Sequence, residues 1–375
     1  MPLIVNADVY LCRVKIAKRQ RHQFIGSEKM EQPESIQKPP SRFRWVWRLL
    51  GVAILICLIV FSVSGVQNGR AIQQLESSKS FMLTTEPGWL MSKMPYSWQT
   101  WIQYSAGDEI RAAFLNVIKV NCIQYGDDDE LTEADLASIG QLKSLKILDL
   151  SNSLITNAGL SHIQGLHNLE ELVLERTSIS DAGLFHLRNL KKLKTLYLLE
   201  SEIGNTGLSH LKNLTELTTL NLSETAVSDA GLAHLKGLVN LKVLSLDITH
   251  VSDRGLVYLK GLPKLESLDL FGTQVSDAGL VHLIGHQNLL LLTLADTQIS
   301  DQGLVHLGKL KNLYDLDIRY TKISDAGLSH LRELKNLTNL MWDSTNITDA
   351  GYARLQESLP KLSDTWQPHP SYPIF

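Results

Sequence analysis

The chain has 375 residues, of which 44% are hydrophobic and 20% charged, so its composition excludes a wholly disordered polymer. Its formal net charge of −3 gives it no overall basic balance of the kind that favours nucleic-acid binding. Its three cysteines, Cys12, Cys57 and Cys122, form neither a disulfide framework nor a CxxC metal pair.

The amino-terminal segment, residues 1–44, is basic. Residues 1–48 contain ten lysines and arginines against four acids, so the near-neutral total charge hides an unequal distribution. We interpret residues 1–44 as a basic cytoplasmic head without a stable fold.

An apolar run follows, from Leu49 to Val66, which reads LLGVAILICLIVFSVSGV and contains no charge. Eighteen helical residues span about 27 Å, close to the ~30 Å hydrocarbon thickness of a bilayer. Trp45 and Trp47 flank the run as interfacial aromatics do. The pattern predicts a single transmembrane helix over residues 45–66.

The alternative for this run is a cleavable signal peptide, with Ser62, Ser64 and Gly65 as a small-residue cleavage site. The basic segment in front of it is longer than that of a usual signal peptide, which favours an uncleaved anchor. The excess of positive charge before the helix predicts a cytoplasmic amino terminus and an extracytoplasmic remainder.

Residues 67–130 are interpreted as a linker and an amino-terminal cap. Tryptophans supply apolar mass for this cap, and the stretch 108–120 has a rough helical pattern. The acidic run 127–130 is expected to be a solvated loop, because no glycine spacing provides the turn of a calcium site.

One phrase recurs between residues 131 and 362, and SDAGLFHL at 180–187 is an example. Within its unit, Leu172 and Leu174 lie two apart, as on one face of a strand, whereas Leu184 and Leu187 lie three apart, as on one side of a helix. Each unit therefore predicts one short strand and one short helix, the helix capped by Ser180 or Asp181. Nine glycines set a constant step of 24 residues: Gly159, Gly183, Gly207, Gly231, Gly255, Gly279, Gly303, Gly327 and Gly351.

The array begins and ends with incomplete units. Leu131, Leu136 and Ile139 precede equivalent residues by 24 positions, so residues 131–141 form a half repeat in front of nine full ones. The last segment, 363–375, is interpreted as a carboxy-terminal cap or tail.

This frame, LxxLxxLxLxxTxISDAGLxHLxx, resembles the leucine-rich repeat of the 24-residue type and is similar to bacterial arrays that carry TDAGLxHL. The resemblance implies an α/β solenoid, a horseshoe with a parallel β-sheet on its concave face and short helices on its convex face; no cofactor is expected. It also implies a ladder of side chains that bond the backbone between strand and helix, where many relatives carry Asn or Cys. Hydroxyls, which can take this role, occupy the position here: Ser153, Thr177, Ser201, Thr225, Thr249, Thr273, Thr297, Thr321 and Thr345.

The histidine of the phrase also recurs in register, at His162, His186, His210, His234, His282, His306 and His330. Equivalent positions on packed helices lie about 8–10 Å apart, but zinc needs its ligand nitrogens about 2.0–2.1 Å from one ion. We interpret the row as spacers on the flank of each helix, with a low-affinity metal row as the alternative. No register supplies an adjacent serine or cysteine nucleophile that is repeatedly held against the imidazole, so no catalytic residue is predicted.

The candidate binding site is the set of side chains that point outward from the predicted sheet. Because side chains alternate along a strand, inward Leu172 and Leu174 imply outward neighbours. Nine strands spaced by about 4.8 Å would make this face roughly 43 Å wide. The predicted partner-binding residues are Glu171, Glu175, Arg176, Tyr197, Leu199, Asp247, Asp269, Phe271, Asp317, Arg319 and Tyr320.

The sequence thus predicts a membrane-anchored, non-catalytic, extracytoplasmic module whose concave sheet binds a protein or peptide. The acidic character of that face argues against a nucleic-acid partner. A structural envelope protein that self-associates is one alternative. An enzyme with its site in residues 71–130 is another, although that stretch contains no histidine and no phosphate-loop signature.

Overall fold

The computed structural model describes residues 71–72, 74–75, 81–87, 115–122 and 131–363. The chain divides into two units, Met1–Cys57 and Leu58–Phe375, and every described residue belongs to the second. The predicted head, the membrane helix, the acidic run and all of the tail after residue 363 lie outside the described residues. Within the described part, no helix is both long enough and apolar enough to span a bilayer.

The described strands form one eleven-stranded sheet in which spatial order follows chain order. An antiparallel pair, β1 and β2, begins the sheet, and the nine strands that follow are parallel. Each parallel repeat strand pairs with the next at the same 24-residue offset, as Leu172 does with Leu196. Strands β1 to β11 are Phe81–Pro87, Leu115–Cys122, Ile147–Asp149, Glu171–Val173, Thr195–Tyr197, Thr219–Asn221, Val243–Ser245, Ser267–Asp269, Leu291–Thr293, Asp315–Asp317 and Asn339–Met341.

Short helices connect the strands, so the predicted solenoid of alternating strands and short helices is confirmed. Helices α1 to α8 are Glu133–Ile139, Asp181–Leu184, Asn205–Leu208, Asp229–Leu232, Asp253–Leu256, Leu304–Leu307, Asp325–Leu328 and Asp349–Ser358. Other connections are, or continue into, 3₁₀ helices: Gly159–Gly165, Phe185–Leu187, Val257–Gly261, Leu280–Leu283 and Ser329–Leu331. The three-residue spacing of the helix leucines suits the tighter 3₁₀ turn.

One apolar core runs through the array. Leu172 and Leu174 of the strand segment and Leu184 and Leu187 of the helix segment are all fully buried, as the two periodicities predict. The sheet and the helices therefore bury their apolar sides against each other, and the opposite side of the sheet carries the outward residues.

The amino-terminal cap differs from the sequence-based expectation. The stretch 108–120 was expected to be helical, but residues 115–120 belong to strand β2, which pairs with β3 of the first repeat. Two physical reasons favour the strand: Val117, Ile118 and Val120 are β-branched, and an unpaired β3 would leave an open edge on the parallel sheet.

The predicted hydroxyl ladder is confirmed. The Thr177 hydroxyl donates to the Leu174 carbonyl oxygen at 2.7 Å, and the Thr249 hydroxyl donates to the Leu246 carbonyl at 2.6 Å. The same bond to the residue three positions earlier occurs in all nine repeats. Each bond satisfies a carbonyl group where the chain leaves the strand.

The aspartate of the phrase has a role that the sequence did not predict. Ser180 is the N-cap residue of α2, but its side chain makes no capping bond. Instead, an aspartate bonds to the following repeat: Asp229 Oδ1 accepts from the Ser252 backbone N–H, and Asp229 Oδ2 accepts from the Ser252 hydroxyl, both at 2.7 Å. The carboxylate is thus a joint between adjacent repeats.

One core position departs from the repeat pattern. His286 is 4% exposed and occupies the place that leucine holds in neighbouring repeats, for example Leu262 and Leu310. Its Nε2 lies 2.9 Å from the Leu259 carbonyl oxygen and its Nδ1 lies 3.3 Å from the Leu283 carbonyl oxygen. Backbone carbonyls therefore compensate for placing an imidazole in the core.

Candidate interaction surface

The side of the sheet that faces away from the core is here called the open face. In β4 the middle residue, Leu172, is buried while Glu171 and Val173 are partly exposed. The ladder continues past the strand, because the Arg176 N–H donates to the Leu199 carbonyl at 2.8 Å. The open face therefore has three rows, named after Glu171, Val173 and Glu175, and a rim row named after Arg176.

The open face is acidic. Its four rows contain two arginines, Arg176 and Arg319. They contain eleven acids: Asp149, Glu171, Glu175, Glu200, Glu224, Asp247, Asp269, Asp296, Asp315, Asp317 and Asp343. A surface of this composition attracts cationic groups and repels polyanions.

Both arginines are paired with acids of the same face. Arg176 Nε donates to Glu200 Oε1 at 3.0 Å. Arg319 forms a two-pronged pair with Asp317, with Nε donating to Oδ1 at 2.9 Å and Nη2 donating to Oδ2 at 2.6 Å. Each of the two positive charges is therefore compensated by a carboxylate of the same face.

Asp317 was predicted to bind a partner directly, but its side chain is buried. Its position in the Val173 row is as predicted, but its side chain is only 3% exposed, whereas that of Arg319 is 37% exposed. The guanidinium covers the carboxylate because it satisfies both carboxylate oxygens. A partner that reaches this point contacts Arg319 rather than Asp317.

The first half of the open face groups four of the predicted residues: Glu171, Glu175, Tyr197 and Leu199, all partly exposed. Burial raises the pKa of Tyr197, and the charges of Glu171 and Glu175 raise it further. Burial also raises the pKa of Glu175, with a further contribution from Asp149. An aromatic ring and like-charged carboxylates therefore share this part of the surface.

The second half carries Asp269 at the end of β8, and Asp247, Phe271 and Arg319 two residues after the ends of β7, β8 and β10. Burial raises the pKa of Asp269 to about 6; the Phe271 N–H, which donates to its carboxylate at 2.9 Å, lowers it, and Asp247 and Asp317 raise it. Asp247 Oδ1 accepts from the Ser223 hydroxyl. Among the described residues, neither Asp247 nor Asp269 has a cationic partner, whereas the nearby Asp317 is paired with Arg319.

The rim row shows a feature that the sequence reasoning missed. Its backbone is left-handed, with φ of 53° at Arg176 and 58° at Tyr320, and Gly272 takes the same conformation. Asn152 also occupies the row. Asparagine is one of the residue types that, after glycine, best tolerate the left-handed region. The conformation turns the chain after the strand and leaves Arg176 and Tyr320 exposed at the edge of the open face.

A groove of about 440 Å³ at the carboxy-terminal end of the array was also missed. Its lining includes Met341 of β11, Trp342 directly after that strand, and Tyr352 of α8. The Trp342 and Tyr352 rings stack with centroids 5.4 Å apart. The sequence signal was an aromatic pair in place of the usual repeat residues.

The histidine row offers no metal centre in the described part of the chain, where no group of three or more His, Cys, Asp or Glu residues is placed to hold an ion. The Nδ1 atoms of His186, His282 and His306 are buried without a partner there. Burial lowers the pKa of His186, and Arg188 lowers it further. The Phe185 ring packs edge-on against His186 and His210 at 5.6 Å, so these two rings are packing groups.

Similarity to known proteins is found at two levels. Residues 261–283 match the family model described as Leucine Rich repeat. An internalin (inlF) from Listeria monocytogenes is 19% identical, with 76% of this chain and 99% of that chain covered and a TM-score of 0.48. An internalin C2 (inlC2) from the same species is 31% identical, with 58% and 87% covered and a TM-score of 0.45.

No curated protein matches the chain. The family match spans one repeat, and the same strand, hydroxyl bond and helix segment recur at 24-residue steps on both sides of it. The chain is therefore a leucine-rich repeat protein.

Proposed function

We propose that this chain is a membrane-anchored, extracytoplasmic and non-catalytic module that binds a protein partner through its open face. The observation that carries the proposal is a contrast between two sets of positions. The middle residue of every repeat strand is a buried leucine, from Leu148 to Leu340. The Val173 row next to it changes at every step and includes Tyr197, Asp269 and Met341.

This contrast supports a role in binding a partner. The buried leucines maintain the fold, whereas the Val173 row can differ between repeats without loss of the core and can therefore match a ligand. Nine parallel strands at about 4.8 Å give a face roughly 43 Å wide, and its rows extend over six residues, or about 20 Å along each strand. Its area is therefore on the order of the ~800 Å² patch that each partner contributes to a standard protein interface. The acidic rows favour a protein partner over a nucleic acid. The charge-free run from Leu49 to Val66 supports the membrane anchor.

The binding proposal is tested with full-length chain as bait and open-face variants. Truncation of Phe271 or Tyr320 to alanine is expected to weaken the binding of a captured partner by about 1 to 3 kcal/mol, which is a factor of roughly 5 to 150 in Kd. Val281→Ala is the matched control, because Val281 is an exposed apolar residue on a helix segment. Leu268→Ala should instead cost about 2 to 5 kcal/mol of stability, since Leu268 is 1% exposed.

Two results would contradict this assignment. One is a partner whose affinity is unchanged by substitution of Phe271 and Tyr320 but falls when Lys236 and Lys260 are changed to glutamate. That result would place binding outside the open face.

The other result concerns the membrane topology of the chain. Protease added to intact cells or spheroplasts that express the chain is expected to digest the repeats, and digestion only after lysis of the membrane would refute an extracytoplasmic location.

A further inference from the structure

Three acids in the Val173 row share one local geometry. Asp149, Asp269 and Asp317 each accept the backbone N–H of the residue two positions later, at 3.0, 2.9 and 3.1 Å. The repeat places their carboxylates at equivalent positions, whole multiples of 24 residues apart. One difference between the three sites is the side chain of the residue two positions later.

At two of the three sites that side chain donates to the carboxylate. The Ser151 hydroxyl donates to Asp149 Oδ1 at 2.6 Å, and Arg319 grips both oxygens of Asp317. At the third site the residue is Phe271, which has no donor in its side chain. Asp269 thus presents the carboxylate that Arg319 covers in the later repeat, but without the guanidinium.

The surroundings of Asp269 do not replace that cation. Its in-register neighbours, Ser245 and Thr293, are neutral and small. The charges that act on it, those of Asp247 and Asp317, are negative and raise its pKa. A cation at this point would therefore offset both the cost of burying the ionised carboxylate and its repulsion by these neighbours. Asp269 forms no ion pair within the described residues.

Phe271 adds a second feature that suits a guanidinium. Its partly exposed ring lies in the Glu175 row, two residues after Asp269. Arginine binds planar carboxylates through two parallel N–H bonds and also stacks on aromatic faces, whereas lysine is a point charge. The same chain contains such stacking elsewhere, where the Arg188 guanidinium carbon lies 3.4 Å from the centroid of the Phe185 ring.

We propose that Asp269 and Phe271 form a recognition site for an arginine side chain of the partner protein, placed on Asp269 as Arg319 is placed on Asp317. The inference rests on the proposed function and names the chemistry of its partner. A calcium ion fits less well, because it takes six to eight oxygen ligands and the described residues group no such set.

The test uses the full-length chain and three fluorescein-labelled pentapeptides, Gly-X-Gly-X-Gly, in which X is arginine, lysine or citrulline. Fluorescence anisotropy at low salt is expected to show at least about tenfold tighter binding of the arginine peptide than of the citrulline peptide, and tighter binding than of the lysine peptide. Asp269→Asn should reduce the affinity for the arginine peptide by a factor of at least about ten. It keeps an oxygen for the Phe271 N–H, and thermal melting verifies that the variant is folded.

Glu224→Gln is the matched control, because it removes one negative charge from an exposed rim position of the same face. Phe271→Leu should reduce the preference for arginine over lysine while leaving the lysine affinity unchanged. The proposal is refuted if Asp269→Asn affects the arginine peptide no more than Glu224→Gln does, or if lysine and arginine peptides bind equally.

A captured partner separates this proposal from the function on which it rests. If Tyr320→Ala abolished binding of that partner while Asp269→Asn left it unchanged, the open face would still be the binding surface but the proposed arginine site would be refuted. A partner that is indifferent to every open-face substitution would refute the proposed function itself.

Discussion

Asp229 and Gly255 are in direct apposition across the boundary between two repeats: a Cβ atom added to Gly255 would lie 2.5 Å from Asp229 Oδ1. The same overlap, with the aspartate of the preceding repeat, occurs at Gly207, Gly279, Gly303 and Gly327. The Asp and the Gly of the SDAGL phrase are therefore two halves of one joint. The aspartate bonds to the serine of the next repeat, and the glycine leaves space for that carboxylate.

Gly255→Ala is expected to destabilise the array, because the methyl group would displace the Asp229 carboxylate from the Ser252 N–H and hydroxyl. A loss of about 1 to 3 kcal/mol in the free energy of unfolding is expected, measured by chemical denaturation. Gly285→Ala is the control, since nothing lies within 4 Å of a Cβ at that position. It should be neutral or slightly stabilising, and equal losses in both variants would contradict this account of the joint.

Removal of the Asp229 side chain separates hydrogen bonding from charge. Asp229→Ala leaves the Ser252 N–H without its acceptor and should cost about 1 to 3 kcal/mol. Asp229→Asn should cost less than about 1 kcal/mol, because Asn205 already makes this joint with the Ser228 N–H and hydroxyl, both at 2.9 Å. Thermal or urea unfolding of the two variants measures the difference. If the asparagine variant were as unstable as the alanine variant, the negative charge rather than the pair of bonds would be required.

Ile248 carries backbone strain that can be relieved. It has φ of 52° and is β-branched, although its side chain is 49% exposed. Ile248→Asn should raise the stability by about 1 kcal/mol, because asparagine tolerates the left-handed region and Asn152 already occupies the row. Val239→Asn, at a comparably exposed site without positive φ, serves as the control in the same denaturation series. A stability gain in the control, or none at position 248, would count against strain as the cause.

The raised pKa of Asp269 predicts a pH-dependent stability difference. Its folded value of about 6 lies above its ordinary 3.8, so the folded state binds the proton more tightly than the unfolded state does. The corresponding stability is present below about pH 4 and is lost as the pH rises through about 6. Asp269→Asn should therefore be more stable than the natural chain by about 1 to 3 kcal/mol at pH 8, and the difference should shrink towards zero at pH 4. A difference that is constant between these pH values would refute the shifted ionisation.

The repeat architecture could be predicted from the sequence because its signal recurs. In one unit, Leu172 and Leu174 give the strand period and Leu184 and Leu187 give the helix period, and eight further units repeat both. The strand β2 could not be predicted in this way, because it occurs once and its extended form depends on pairing with β3. His286 could not be predicted either, since its burial depends on carbonyl groups of Leu259 and Leu283 that only the folded chain supplies.

The open face was predictable only in part. Alternation along the strand placed Tyr197, Asp269 and Phe271 on the outward side, but it could not show that Arg319 covers Asp317. That pairing depends on side-chain conformations within a repeat, which periodicity does not encode. The left-handed rim was missed for a related reason, because residues as different as Arg176 and Tyr320 occupy it and no residue type marks it in the sequence.

The constant step of 24 residues bears on how such a chain can change length over evolution. Ser228 and Ser252 occupy the same place in successive repeats, so deletion of residues 229–252 would join Ser228 to Asp253 and preserve the joints on both sides. Duplication of those codons would add one strand and widen the open face by about 4.8 Å. Insertions or deletions within the joint segment that are not multiples of 24 residues would separate the aspartates from their serines. Unequal recombination between the repeats of the gene is therefore a route by which the protein can lengthen or shorten its open face in whole repeats.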